Sequence, residues 1–308
     1  MKVRQLQARD VVPVVARIAQ QLVADAHERR LVNPQISTEI LGTSLNASMQ
    51  STWIAEENGR IVGHLFGALL ENDNFPKGVW IGPDGVSFDS IEVLSALYRA
   101  AGTAWIDRGA LEHFVWTLDG SSSMRAWFEM GFSRMHLRGV MALKKVPAVA
   151  WPHGYSIRRG GGGDLELAVS LDKALDEAQR LGPSFLIGPL GALVRNELNE
   201  TLLDPEVHYY VAEFEGQGVA QCMTFRLPPQ RGSFSDTLHL SAVSVLPEHQ
   251  GRGIATAMVS HAFANAIDAH FRFAETNWRV TNRRAQAFWL GYGFQPTYVR
   301  LHRTIGHT

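Results

Sequence analysis

Val243-Ser244-Val245-Leu246-Pro247-Glu248-His249-Gln250-Gly251-Arg252-Gly253-Ile254-Ala255 is the stretch that decides the fold. Val243 and Val245 suit a strand, Pro247 breaks it, and an uncharged, apolar-faced helix opens at Ile254. Between them, Gly251 and Gly253 remove the Cβ atoms that would keep an anion away from the backbone. Successive N–H groups and the positive end of the helix dipole can then face a pyrophosphate. Arg252 adds a fixed charge at the same place. The turn lacks the Lys-Ser/Thr pair of a nucleoside-triphosphatase loop, and its spacing differs from the G-x-G-x-x-G dinucleotide fingerprint. An ordinary glycine-rich helix start is the plain alternative.

Further along, Asn282, Ala285, Phe288, Gly293 and Phe294 form a second pattern, N-x-x-A-x-x-Φ-x-x-x-x-G-F. With Gln250 to Ala255, it resembles the two signatures of the GCN5-related N-acetyltransferase (GNAT) superfamily. The resemblance implies an α/β (α+β) fold, a mixed and mostly antiparallel twisted sheet flanked by helices. It also implies that Gln250, Gly251, Arg252, Gly253, Ile254 and Ala255 hold the pyrophosphate of acetyl-coenzyme A, with Asn282 and Phe288 beside it. In the superfamily the strand before the cradle splays from its neighbour and pairs its backbone with the pantetheine arm, positions held here by Val243 and Val245. Acetyl-coenzyme A is then an acyl-donor substrate, and the partner is an amine acceptor.

The composition narrows the rest. A chain of 308 residues accommodates two domains of ordinary size. Lys and Arg number 29 against 30 Asp and Glu, a net charge of -1, which gives no reason to expect nucleic acid or an anionic membrane as a partner. The single cysteine, Cys222, allows no internal disulfide and suits a reducing compartment. The first ten residues have no apolar signal-peptide core, and no apolar run reaches the roughly 20 residues that span a bilayer. A cytoplasmic protein, monomer or homodimer, is the expectation. Twelve histidines form neither an H-E-x-x-H nor another metal-ligand spacing, so no metal is assigned.

The two halves repeat at a drifting offset. Val3-Arg4 ahead of Asp10 returns as Ile157-Arg158 ahead of Asp164, 154 residues on. Ala55 to Gly63 matches Ala212 to Ala220, both strand, Gly-containing hairpin turn and strand, at 157. His113-Phe114 and His270-Phe271 keep that offset. Trp127, Gly131, Phe132 and Arg138 match Trp289, Gly293, Phe294 and Arg300 at 162. Four matches in order argue for duplication, with domains 1–149 and 150–308 joined by a linker near Lys144 to Gly154. Carried back 157 residues, the cradle lands on Val93 to Tyr98, ordinary helix with bulky side chains, with Asp89 close by. No counterpart of Asn282 is found, so the N-terminal copy is expected to keep the fold without coenzyme binding. The alternative is that Gly82-Pro83-Asp84-Gly85 binds a ligand of its own.

Acyl transfer to an amine needs a base and a proton donor for the departing thiolate. Histone-modifying members of the superfamily carry a glutamate base eleven residues before the cradle motif, a position held here by His239. Its imidazole can accept a proton near neutral pH; the alternative is a strand histidine with no role. Glu275 and Asp236 are the other candidates. Seven residues after Asn282, where many members have an acidic tyrosine, this chain has Trp289, whose indole N–H has no usable acidity. Tyr292 or Tyr298 stands in, or water does; Trp289 itself reads as structural, since Trp127 repeats it. Arg279 and Arg283 either reach a coenzyme phosphate or are plain surface residues. Arg300 reads as structural because Arg138 repeats it. The apolar, kinked segment Leu181 to Pro189 suggests an acceptor with a hydrophobic part.

Overall fold

The computed structural model describes residues 1–72, 75–144, 149–185, 192–227 and 232–306. In chain order the elements are β1 (Lys2–Gln5), α1 (Val11–Glu28), α2 (Thr38–Ala47), β2 (Thr52–Glu57), β3 (Arg60–Phe66), β4 (Ala68–Asn72), β5 (Phe75–Ile81), β6 (Val86–Phe88), α3 (Ile91–Ile106), β7 (Glu112–Leu118), α4 (Ser122–Glu129) and β8 (Ser133–Ala142). Then follow β9 (Tyr155–Arg159), α5 (Leu165–Arg180), α6 (Ala192–Leu203), β10 (Val207–Phe214), β11 (Gln217–Arg226), β12 (Thr237–Val245), α7 (Ile254–Asp268), β13 (Phe273–Arg279), α8 (Arg283–Tyr292) and β14 (Gln295–Thr304). Among the described residues no helix is long and apolar enough to cross a membrane.

Two compact units emerge, one of Met1–Arg138, Arg231–Ser233 and Pro296–Thr308, the other of Gly139–Gln230 and Phe234–Gln295. The division differs from a cut at 149/150: the chain passes between units inside β8, and β14 joins the first unit from Pro296 on. Residues 145–148 of the expected linker lie outside the described residues.

In the first unit, β1, β2, β3 and β6 form one antiparallel sheet. A second set has β4 antiparallel to β5, β5 parallel to β7, and β7 antiparallel to β14. Helix α1 buries Val11, Val14, Val15, Ile18 and Leu22, an i, i+3/i+4 stripe, against Leu6, Leu41, Leu45, Ile54, Val32 and Tyr298. The segment Gly82 to Gly85 is a structural break between β5 and β6. Gly85 donates to the Gly82 carbonyl at 2.8 Å, and the Asp84 carbonyl lies 2.8 Å from Nε2 of the buried His64.

The second unit runs β9, β10, β11 and β12 antiparallel, then β13 parallel to β12. Its mixed, mostly antiparallel sheet has helices on both faces. Tyr209 and Tyr210, neighbours on one strand, necessarily point to opposite sides. Tyr209 packs with Ala168 of α5, Leu202 of α6 and Met223; Tyr210 meets His261 of α7 at a ring distance of 5.2 Å and accepts from Asn265 at 3.1 Å.

The two units repeat each other in detail. Arg4 bonds Asp10 and Glu56; Arg158 bonds Asp164 and Glu213. Asp10 also accepts the Gln7 N–H at 2.8 Å, and Asp164 the Gly161 N–H at 3.0 Å. The hairpin turns match as left-handed pairs, Asn58 (φ 50°) and Gly59 (φ 77°) against Glu215 (φ 51°) and Gly216 (φ 76°). A bulge follows Ala55 in one and Ala212 in the other. Each unit has a four-rung parallel ladder, Gly78–Ile81 on Glu112–Val115 and Thr237–Leu240 on Phe273–Thr276.

Two expected matches need correction. His113 lies inside β7, whereas His270 sits in the turn before β13 with φ 64°, so they are not equivalents. Asn282 does have a counterpart. It N-caps α8 by accepting from Ala285 N–H at 3.0 Å, and Ser121 N-caps α4 by accepting from Met124 N–H at 3.1 Å, each three residues after the preceding strand.

Candidate active site

The β12–β13 ladder stops at Leu240–Thr276, although β12 runs on to Val245 and β13 to Arg279. Ser241 is extra in the β11 pairing, where Met223 faces Ala242 and Thr224 faces Leu240. A bulge there bends and twists the strand. Among the described residues the β13-facing edge of 241–245 thus has no strand partner, and the strands open into a fork whose upper limb contains Val243 and Val245. This is the splay that the resemblance implies.

At the top of the fork the chain turns through Leu246–Gly253 before α7. Gly251 (φ 75°) and Gly253 (φ 83°) are both left-handed, which explains the two glycines. A Cβ built on either meets nothing within 4 Å, so their backbone faces open space. Gly253 caps α7 and no side chain serves that end, so the first N–H groups of a fifteen-residue helix are left for another partner. That bare, electropositive end fits a pyrophosphate. Gln250 bonds back to the Val245 carbonyl at 3.0 Å and Arg252 to the Glu248 carbonyl at 3.2 Å, so both side chains brace the turn. His249 Nδ1 lies 2.8 Å from the Tyr155 hydroxyl of β9, a tether that sequence reasoning missed. Ile254 is buried and Ala255 half-buried, as anchors of the first helical turn.

His239 is half-buried, its ring 5.0 Å from that of Phe225. Its register partner across the parallel ladder is Glu275, which is 2% exposed, so the two project from the same face. That face is the one under α5: Phe225, paired with His239, shares it with Met223, which packs on Ala168. Asp236, by contrast, lies just before β12, nine residues of strand from the turn, and is ion-paired to Arg272.

Of the two stand-in tyrosines, the structure separates Tyr298 from this group: it belongs to the first unit and donates to Asp25 at 2.9 Å. Tyr292 stays in the second unit, its hydroxyl 2.5 Å from Ser260 Oγ on α7. Burial pushes its phenol up, while the Ser260 bond pulls the other way. Trp289 is buried at 7% exposure between Phe288 and Phe294.

Arg279 is not a free surface residue. It donates to Gln179 of α5 at 2.6 Å, and burial lowers its guanidinium from the ordinary value while Asp176 opposes the shift. Arg283 is exposed at the start of α8. Arg300 lies in the first unit, its guanidinium 5.0 Å above Trp80. Of the segment Leu181 to Pro189, residues 186–189 lie outside the described residues. Leu181 and Phe185 are 69% and 70% exposed, and Ser184 Oγ lies 2.8 Å from Thr281 Oγ1 beside Asn282.

Among its described residues the first unit does not repeat this arrangement. Its helix α3 begins at Ile91, so the counterpart of the cradle is not Val93 to Tyr98 but the end of β6 and its exit. Only Asp89 and Ser90 separate β6 from α3, where the second unit has the eight residues Leu246–Gly253. The Asp89 carboxylate is bound by Arg17 at 2.8 Å and Arg60 at 2.6 Å. At the rung of His239 and Glu275, the first unit's ladder has Trp80 and Phe114.

A forked strand, a bare-backbone turn and a helix start without a side-chain cap make up the candidate site. Residues 175–294 match the family model described as Acetyltransferase (GNAT) family. No curated protein matches the chain in sequence. In structure it resembles a GCN5-related N-acetyltransferase from Sphaerobacter thermophilus, at 18% identity and a TM-score of 0.65, over 99% of this chain and 96% of that one. A tandem GNAT protein from the clavulanic acid biosynthesis pathway aligns at 16% identity and a TM-score of 0.55, over 100% and 99% of the two chains. These likenesses show a tandem GNAT fold.

Proposed function

We propose that the second unit moves an acetyl group from acetyl-coenzyme A to a primary amine of a small molecule or peptide, by direct attack within a ternary complex. The observation that carries this reading is the unpartnered edge 241–245 leading into two bare left-handed glycines at the start of α7. Backbone N–H groups of Gly251 to Ala255 would take the pyrophosphate, with Arg252 at its rim. The edge at Val243 and Val245 would align the pantetheine arm, and Asn282 and Phe288 would flank it. When bound, the donor supplies an activated acyl carbon. The chain's own contribution is to orient it in the fork, to accept the amine proton at His239 beside Glu275, and to give a proton to the departing sulfur from Tyr292.

A non-catalytic acyl-coenzyme A sensor or scaffold is the alternative, raised by Trp289 at the usual tyrosine position and by the first unit's lack of a cradle. Thiol release from acetyl-coenzyme A with a panel of amines separates the two. Amine-dependent release that is lost in Gly253→Glu is the expected result. Tight binding with no release from any amine would favour the sensor.

A further inference from the structure

Tyr292 is held from several sides. Its hydroxyl is 2.5 Å from Ser260 Oγ and 3.5 Å from the Thr256 carbonyl, and its ring packs on Phe263 and Phe288 at centroid distances of 5.5 and 5.7 Å. Ser260 is buried, seven residues after Gly253, which places it about 10 Å along α7 from the cradle. The tyrosine also lies within electrostatic range of the Cys222 thiol, whose register partner on β12 is Val243. Both relations bring the hydroxyl to the level of the unpartnered edge 241–245, on the α7 side of the sheet. The candidate base His239 is on the other side, under α5. An acyl carbon in the fork would therefore meet a proton acceptor from one face and a phenol from the other.

We infer that Ser260 is a positioning residue that fixes the Tyr292 hydroxyl as proton donor to the leaving thiolate, the task for which Trp289 has no acidic proton. The inference rests on the acyl-transfer reading above. In the balanced step, the amine nitrogen–acyl carbon bond forms and the carbon–sulfur bond breaks. The amine proton passes to His239, the sulfur takes the phenol proton, and Ser260 O–H donates to the phenolate until solvent returns its proton. Burial raises the phenol from its ordinary value, and the Ser260 bond partly opposes that rise.

The test compares Ser260→Ala, Ser260→Thr and Tyr292→Phe in kcat, KM for acetyl-coenzyme A and the pH profile of the full-length protein. Ser260→Ala is expected to lower kcat roughly tenfold with KM nearly unchanged. It should also move the basic limb to higher pH: the donor works protonated, so rate falls as pH rises through the phenol's titration, and loss of the bond raises that titration. Ser260→Thr, which keeps a hydroxyl, should restore both, and Tyr292→Phe should remove the limb. A purely structural serine would alter stability or KM and leave the limb in place. Ser260→Cys, close in volume and a weak donor, gives the same reading if the alanine variant does not fold. Wild-type kcat and limb in a folded Ser260→Ala or Ser260→Cys protein would overturn the inference alone. A wild-type protein that transfers acetyl to no amine would overturn the acyl-transfer reading with it.

Discussion

Gly253 combines a left-handed backbone with open space in front of it. Gly253→Glu should place a carboxylate where an anion is proposed to sit, a repulsion on the order of several kcal/mol, enough to remove acetyl-coenzyme A binding in calorimetry. Gly253→Ala adds only backbone strain of about 1 kcal/mol and should weaken binding far less. If His239 is the base, His239→Ala should reduce kcat by roughly 10²–10⁴ with little change in acetyl-coenzyme A affinity. The neutral imidazole is the active form, so wild-type rate should rise with pH through its titration, and the variant should lose that acidic limb. An unaltered limb would remove His239 from the mechanism and turn attention to Glu275. The duplicated ion triads predict a different pH effect. Bonds from Arg4 and Arg158 hold Asp10 and Asp164 below the ordinary carboxylate range. Groups with lowered folded values stabilise above the unfolded value, and that stability disappears as pH falls through the folded value. Thermal melts should therefore show Arg4→Ala less stable at pH 7 but converging on wild type in strong acid.

Among the elements, the caps of α4 and α8 make a paired experiment. Ser121→Ala and Asn282→Ala should each cost about 1 kcal/mol of stability, seen in denaturant melts. Only Asn282→Ala should also raise KM for acetyl-coenzyme A, because only the second unit carries the cradle. The strand, turn and helix at Val243 to Ala255 were legible in sequence because the glycines and Pro247 act locally. So was the hairpin pair, whose left-handed residues fall on the 157 offset. The equivalence of Ser121 and Asn282 was not legible. Residue identity differs at the cap, and the loop before α3 is six residues shorter than that before α7, so a carried offset slips by that amount. Nor could spacing find Ser260, Tyr155 or Gln179, since each acts through a partner remote in the chain: 32, 94 and 100 residues away respectively.

Across the whole molecule, the asymmetry of two similar units predicts one acetyl-coenzyme A per chain. The first unit has two residues before α3, one of them Asp89 already bound by two arginines, and Trp80 and Phe114 at the rung of the candidate base. Calorimetry giving two equivalent sites would contradict this. The membership of β14 in the first unit bears on how the chain is made. A ribosome that has finished Arg138 has not yet made the strand that pairs with β7 from Glu112 to Leu118. At about 5–20 residues per second, that strand follows on the order of ten to thirty seconds later. During this delay β7 keeps an open edge, with Tyr98, His113 and Trp105 beneath it already able to cluster. The nascent first unit thus carries an unpaired strand edge until synthesis is almost complete, and a gene cut at codon 149 would encode a protein without the strand that pairs with β7.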